Sequence, residues 1–448
     1  MRKVAAGLFA ALLGLAGAGF AGEPAGRVPA VIAEYDREAA KPLWPGFEPR
    51  SIPLEVFDAG RSWLVRHPHP PAEFLPVSGR SDLRFYEGRH ASMRANTAVE
   101  IDGVLTATAS FEGSTRSPRA LAALLLHEAF HVFQARRHPK WEGNEVELFV
   151  YPVDDPEALA LRRVESRALA LALDAKDART RSAWSSRAAQ ARKLRFSRLS
   201  AGASGYERAT ELKEGLARYI QARAGGESGS PFPAAEFPPD KVRDRAYASG
   251  SAMALLLDRL DSRWKEALEA RDEPVDEILA RAVAGISPAV LPPGEEEEIR
   301  RRAAAHVAGW SASRVALREE FLAMPGWKLV IESSSPLFSQ GFDPLNVERL
   351  SSDSVLHTRF IKLGNDAGSV EVLDRRCLTE AAGKHPLFGG VRRATVAGLT
   401  GEPPAGTSDG GVRITTPGVT LAFRKATLSR SGNTLTVVVG TASPAAPR

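Results

Sequence analysis

Apolar and polar positions change rhythm several times along the chain. Behind Met1-Arg2-Lys3, an apolar run from Val4 to Phe20 ends at Ala21. Small residues, Gly19 and Ala21, fall at the −3 and −1 positions of a secretory signal cleaved after Ala21. No later stretch approaches the roughly 20 apolar residues that cross a bilayer, so no stable membrane insertion is expected once the signal is removed. From Val28 to about Pro76 the text is dense in proline and aromatics, as in Lys41-Pro42-Leu43-Trp44-Pro45-Gly46-Phe47, which predicts short strands and turns rather than long helices. Residues 83 to 86 and 98 to 110 nearly alternate, and Asp102-Gly103 between the arms of the second stretch predicts a hairpin.

Period-2 text gives way to helical text at Ser117-Pro118, an N-cap residue followed by proline at the first helical position. That helix is predicted to run to about Arg137. Further helices are expected near 156–178, 180–198, 206–224, 241–260, 262–284 and 295–322, separated by breaks such as Gly225-Gly226 and Pro292-Pro293-Gly294. After Pro325-Gly326 short Val, Ile, Leu and Thr runs return, among them 327–331, 358–363, 369–373, 412–416, 419–424 and 434–439. The pattern predicts an α+β protein. Its expected divisions are a signal at 1–21, a β-rich region with the hairpin at 22–115, a mainly helical domain at 116–324 and a β-rich module at 325–448.

Composition narrows this without redirecting it. Hydrophobic residues make up 44% and charged residues 25%, enough for a conventional core, and no Gly-x-y period or internal repeat occurs. A net charge of +5 over 448 residues gives no general reason for nucleic-acid binding. The arginines between Arg162 and Arg198 interleave with Ala and Leu and are expected on a wet helix face. Glu295 to Glu298 before Arg300 to Arg302 is expected to be a solvated helix start. Cys377 is the single cysteine, which rules out an internal disulfide and suits a small buried hydrophobe.

The chemistry concentrates in Leu126-His127-Glu128-Ala129-Phe130-His131, an H-E-x-x-H on the first predicted helix. Four residues is one helical turn, so both imidazoles share a face and can hold one Zn²⁺ at about 2.0–2.1 Å, with Glu128 beside them to take a proton from water. A catalytic site needs a third protein donor and an open position. In 206–222, Glu211 and Glu214 lie one turn apart, and Gly215 removes a side chain beside Glu214, which permits close helix approach. Glu165 is a further candidate.

H-E-x-x-H followed by Glu214-Gly215-Leu216-Ala217 resembles the gluzincin branch of the zincin-like metallopeptidases, including the peptidase MA-like groups. The resemblance covers about residues 98–260. It implies His127 and His131 as the first two zinc ligands, Glu128 as general base and Glu214 as third ligand. The metzincin pattern does not fit, since Gln134 and Arg137 stand where it needs Gly and His. The 82 residues between His131 and Glu214 exceed the usual gluzincin connection and imply an inserted helical hairpin over about 156–198. Residues 244–252 resemble the helix start that follows the second motif in such enzymes, which makes Tyr247 or Arg245 a candidate oxyanion stabiliser.

These residues imply an exported zinc metallopeptidase, secreted or periplasmic, acting on a peptide or protein substrate, with Zn²⁺ as cofactor and no nucleic-acid partner. The competing expectations are a catalytically inactive zincin-derived binding or chaperone-like protein of the cell envelope, and a zinc hydrolase of a non-peptide amide.

Overall fold

The computed structural model describes residues 26–440 apart from 95, 228, 235, 344, 345 and 409. The expected signal at 1–21 lies outside the described residues. The described chain divides into two compact units, one formed by its residues up to 139 with 220–228 and the other by 140–219 with the remainder. The fold is α+β.

The first unit opens with a helix where the sequence predicted only strands and turns. Helix α1 (Val28–Ala39) buries Val28, Val31, Ile32 and Tyr35, an i, i+3, i+4, i+7 stripe. Its proline sits in the first turn, where a missing N–H costs no hydrogen bond. The dense proline text begins only at Pro42, after the helix has ended.

Six strands follow: β1 (Leu54–Asp58), β2 (Arg61–Val65), β3 (Leu75–Val77), β4 (Arg80–Glu87), β5 (Thr97–Ile101) and β6 (Val104–Ser110). Their order is β3-β4-β2-β1-β6-β5, with β1 and β6 parallel and the other neighbours antiparallel. The predicted hairpin is β5–β6. Ile101 faces Val104, and Asp102 (φ 45°) and Gly103 (φ 75°) supply the two left-handed residues that match a hairpin turn to strand twist. This leaves β5 at the sheet edge.

Helix α2 (Pro118–Arg137) has the predicted limits, with Ser117 Oγ accepting from Ala120 N at 3.3 Å. It packs on α1, β5 and β6.

In the second unit, α3 (Pro156–Asp174) and α4 (Ala178–Phe196) form the helical hairpin that the long spacing implied. Then come α5 (Ala201–Thr210), a π-helical turn (Glu211–Gly215) and α6 (Leu216–Gly225), whose residues from Ile220 on count in the first unit. There Arg119 donates to Ala224 O at 3.5 Å, and α6 stops at Gly226 (φ 72°). Helix α7 (Val242–Leu260) is as predicted. The single helix expected over 262–284 is two, α8 (Trp264–Arg271) and α9 (Val275–Ala282). Asp272 turns left-handed (φ 52°), and Pro274 disfavours helical backbone at Glu273.

Helix α10 (Glu295–Leu322) carries the acidic run in its first turn. The run is not merely solvated, because Glu295 pairs with Arg167 of α3 at 2.7 Å and Glu296 with Arg187 of α4 at 2.5 Å. Phe321 at its other end packs with Leu350, Leu356 and Leu378 of the β-rich region.

That region is built around β7 (Trp327–Phe342), which pairs antiparallel with Phe360–Asn365 and Val391–Leu399 and parallel with Thr434–Val439. Leu329, Ile331, Val396, Leu421 and Val437 form its core. Cys377 is buried there, and burial pushes its thiol up to about 12, so it behaves as the expected hydrophobe.

Of the nine arginines expected on a wet helix face, four are internal, while Arg167, Arg179 and Arg198 are exposed as expected. Arg162, Arg163, Arg192 and Arg195 are buried. Arg192 and Arg195 are matched by buried acids, Glu165, Glu207 and Glu211, which compensate for their desolvation. Among the described residues no helix is long and apolar enough to cross a membrane.

Candidate metal centre

Between Leu121 and Gln134 most of α2 is buried, so its sequence is set by what surrounds it on every side. Phe130 meets Trp44 edge-on at 5.4 Å and Phe47 at 5.1 Å, and it stacks on Phe133 at 5.4 Å. The proline-rich segment before the sheet therefore grips one face of α2 and fixes its rotation, each aromatic pair contributing about 0.5–1.5 kcal/mol beyond area burial.

The neighbouring face carries His127 and His131. Their Nε2 atoms are 3.1 Å apart. Two imidazole nitrogens on a tetrahedral ion at 2.0–2.1 Å stand about 3.3 Å apart, so the pair already has close to the separation a metal requires. His131 Nδ1–H donates to Gln134 Oε1 at 2.9 Å, which favours the tautomer with its lone pair on Nε2. Gln134 was noted in the sequence only as a departure from another pattern. Its i+3 spacing from His131 was the available signal. One nitrogen of each histidine and one Glu128 oxygen all lie within 4.8 Å of one another, with His127 and Glu128 buried and His131 half-buried. Among the described residues this is the one such group of three or more potential ligands. Two imidazole nitrogens beside a carboxylate suit a borderline divalent cation, zinc, copper, iron and nickel alike.

Glu214, the expected third donor, lies in the second unit, on the π-helical turn. Such turns insert one residue into a helix and redirect the side chains that follow. Here Glu211 and Glu214 serve different surroundings. Glu211 is bound by Arg192 at 2.5 Å and by Ser249. Glu214 accepts from Arg243 at 2.9 Å and from the Tyr247 hydroxyl. Burial, then the Glu214 charge, raises the Tyr247 pKa above its ordinary value, so the phenol keeps its proton and donates it. Tyr247 thus orients Glu214 directly.

The alternative donors are engaged elsewhere. Glu165 is enclosed by Arg245 at 2.6 Å, Arg192 at 2.7 Å and Arg195 at 2.9 Å. Burial alone would raise its carboxyl, but these three cations outweigh burial and hold it well below the usual range. Arg245, the other candidate oxyanion stabiliser, is 1% exposed and belongs to this ion cluster.

The close approach permitted by Gly215 is to α7. A Cβ there would lie 2.7 Å from Gly250 Cα, and one on Gly250 would lie 2.8 Å from Glu211 O. This backbone contact sets the α7 residues Arg243 and Tyr247 against Glu214.

No family model, curated protein or solved structure matches the chain.

Proposed function

We propose that the protein is an exported zinc-dependent metallopeptidase. The observation that carries this reading is the convergence of His127 and His131 Nε2 beside Glu128, with the ligating tautomer of His131 favoured by Gln134. His127 and His131 are the first two ligands. The third, Glu214, is assigned from the E-G-L-A motif, and the Tyr247 and Arg243 hydrogen bonds that fix its carboxylate support the assignment. When held there, zinc would supply Lewis acidity toward a carbonyl and a water. Glu128 takes the proton from the attacking water and returns it to the leaving amine. Tyr247 holds the Glu214 carboxylate in one orientation. Edge strand β5 supports a peptide substrate, since an extended backbone can add to its outer side with little side-chain preference.

The test is metal analysis of the purified protein together with hydrolysis of a peptide pool. About one zinc per chain is expected. Glu128→Gln should keep the metal and lose hydrolysis, whereas His131→Ala should lose both. Hydrolysis unchanged in Glu128→Gln would overturn the reading, and full metal content with no cleavage of peptides but turnover of simple amides would redirect it to a non-peptide amide.

A further inference from the structure

Away from α2, the second unit contains a cavity of about 340 Å³ between α3, the start of α10 and the segment before α7. Its volume is in the range of small-molecule sites. Arg162, Arg163, Ser166 and Arg167 of α3 line one side, Phe232 and Phe237 another, and Ile299 of α10 adds an apolar wall.

The charge around this cavity is not balanced. Arg162 is 4% exposed, and its guanidinium donates to the carbonyls of Pro238 at 2.8 Å and Pro239 at 3.1 Å. Among the described residues no carboxylate lies within ion-pair distance of it. Arg163 is 5% exposed, with Nε 3.0 Å from Glu236 and Nη2 on His306 at 2.5 Å, while its buried Nη1 has no hydrogen-bond partner among the described residues. Glu236 is itself shared with Arg302 at 3.0 Å, and Glu295 serves Arg167. Five arginines, Arg162, Arg163, Arg167, Arg245 and Arg302, thus line the cavity with two acids, Glu236 and Glu295, while Arg245 also pairs with Glu165 and Arg302 lies 3.8 Å from Glu298. Burial depresses the Arg162 pKa to about 10 and lowers that of Arg163 as well, because the nearby acidic groups offset only part of the desolvation. A buried donor left open and an excess of guanidinium over carboxylate are the features of an oxyanion site, because arginine forks bind carboxylate and phosphate with paired N–H groups.

We propose that this cavity binds a small organic oxyanion, a carboxylate or phosphate monoester carrying an aromatic or branched apolar group. The head group lies on Arg163 and Arg162, and the tail lies against Phe232, Phe237 and Ile299. The site is independent of the metal-centre reading.

Calorimetric titration of the mature protein with phenyl phosphate, 3-phenylpropanoate, inorganic phosphate and benzylamine tests it. At least one aromatic anion should bind, inorganic phosphate more weakly, and benzylamine not at all. The stronger of the two aromatic anions distinguishes a phosphate from a carboxylate ligand. Arg163→Gln should weaken binding at least about tenfold by removing charge-assisted hydrogen bonds. Ala170→Phe, which fills the cavity from a half-buried position on α3 while keeping every charge, should abolish it. The proposal is overturned if neither aromatic anion binds the unaltered protein at millimolar concentration, or if both variants, folded by circular dichroism, bind as the unaltered protein does.

Discussion

Glu165 and Arg162 are neighbours on α3, both buried, yet their surroundings differ completely. Glu165 is met by three guanidinium groups within 2.9 Å, whereas Arg162 meets two proline carbonyls and, among the described residues, no carboxylate within ion-pair distance. The first arrangement is a cluster of three arginines with Glu165, Glu207 and Glu211, reaching Asp276 through Arg192 and touching the cavity only through Arg245, and it ties together α3, α4, α5, the π-helical turn and α7. The second borders a cavity. Charge that is internally matched builds structure, and charge left over beside a cavity is available to a ligand.

The comparison breaks most sharply at Glu165. Glu165→Ala leaves three buried cations short of a partner and should cost about 3–5 kcal/mol in denaturant unfolding. A loss below about 1 kcal/mol, the level of an exposed pair, would show that the cluster is not electrostatically coupled. Acid unfolding comes next. Glu165 and Glu207 are more acidic folded than unfolded, Glu207 at about 2 against an ordinary 4.5. For Glu207, burial opposes the shift and the Arg195 and Arg245 charges overcome it. Such groups stabilise the fold fully above the ordinary value, and the contribution is lost as pH falls through the folded one. Glu211, raised by burial, works in the opposite sense and softens the loss. Stability should therefore fall between about pH 4.5 and 2, as read by circular dichroism during acid titration, and Glu165→Gln should flatten that fall.

A smaller effect is expected at Tyr247. Tyr247→Phe removes one hydrogen bond to Glu214 and should cost about 0.5–1.5 kcal/mol, with weaker zinc retention against a chelator as the sharper readout. The smallest is at the cavity edge. Arg162→Met removes a buried cation that has, among the described residues, no carboxylate within ion-pair distance and should change stability by less than about 1 kcal/mol, since desolvation relief offsets the two lost carbonyl bonds. A cost like that of Glu165→Ala would mean that Arg162 is structurally bound after all.

Local signals were legible wherever they were self-contained. Ser117-Pro118 marked the start of α2, Asp102-Gly103 marked the hairpin turn, and the His127–His131 spacing put two imidazoles on one face. Helix α1 was obscured because proline was read as a breaker across a whole segment, although a proline in the first turn of a helix is harmless. The arginine face was misread for a different reason. Helical spacing shows which residues share a side of α3 and α4, but not whether that side meets water or a row of glutamates. The division of labour between Glu211 and Glu214 depends on a π-helical turn and on Gly250 of a separate helix, and neither can be read from the spacing of the two acids.

By itself, the sequence determined the Ser117-Pro118 helix start, the Asp102-Gly103 turn, the α+β alternation and a pair of imidazoles one helical turn apart, because backbone sterics and helical periodicity act over a few residues. Only the tertiary structure decided which glutamates join the buried arginine cluster, that Glu214 instead meets Tyr247 and Arg243, and which arginines border a cavity. Those outcomes depend on burial and on partners distant along the chain, where desolvation decides whether a charge must be paired.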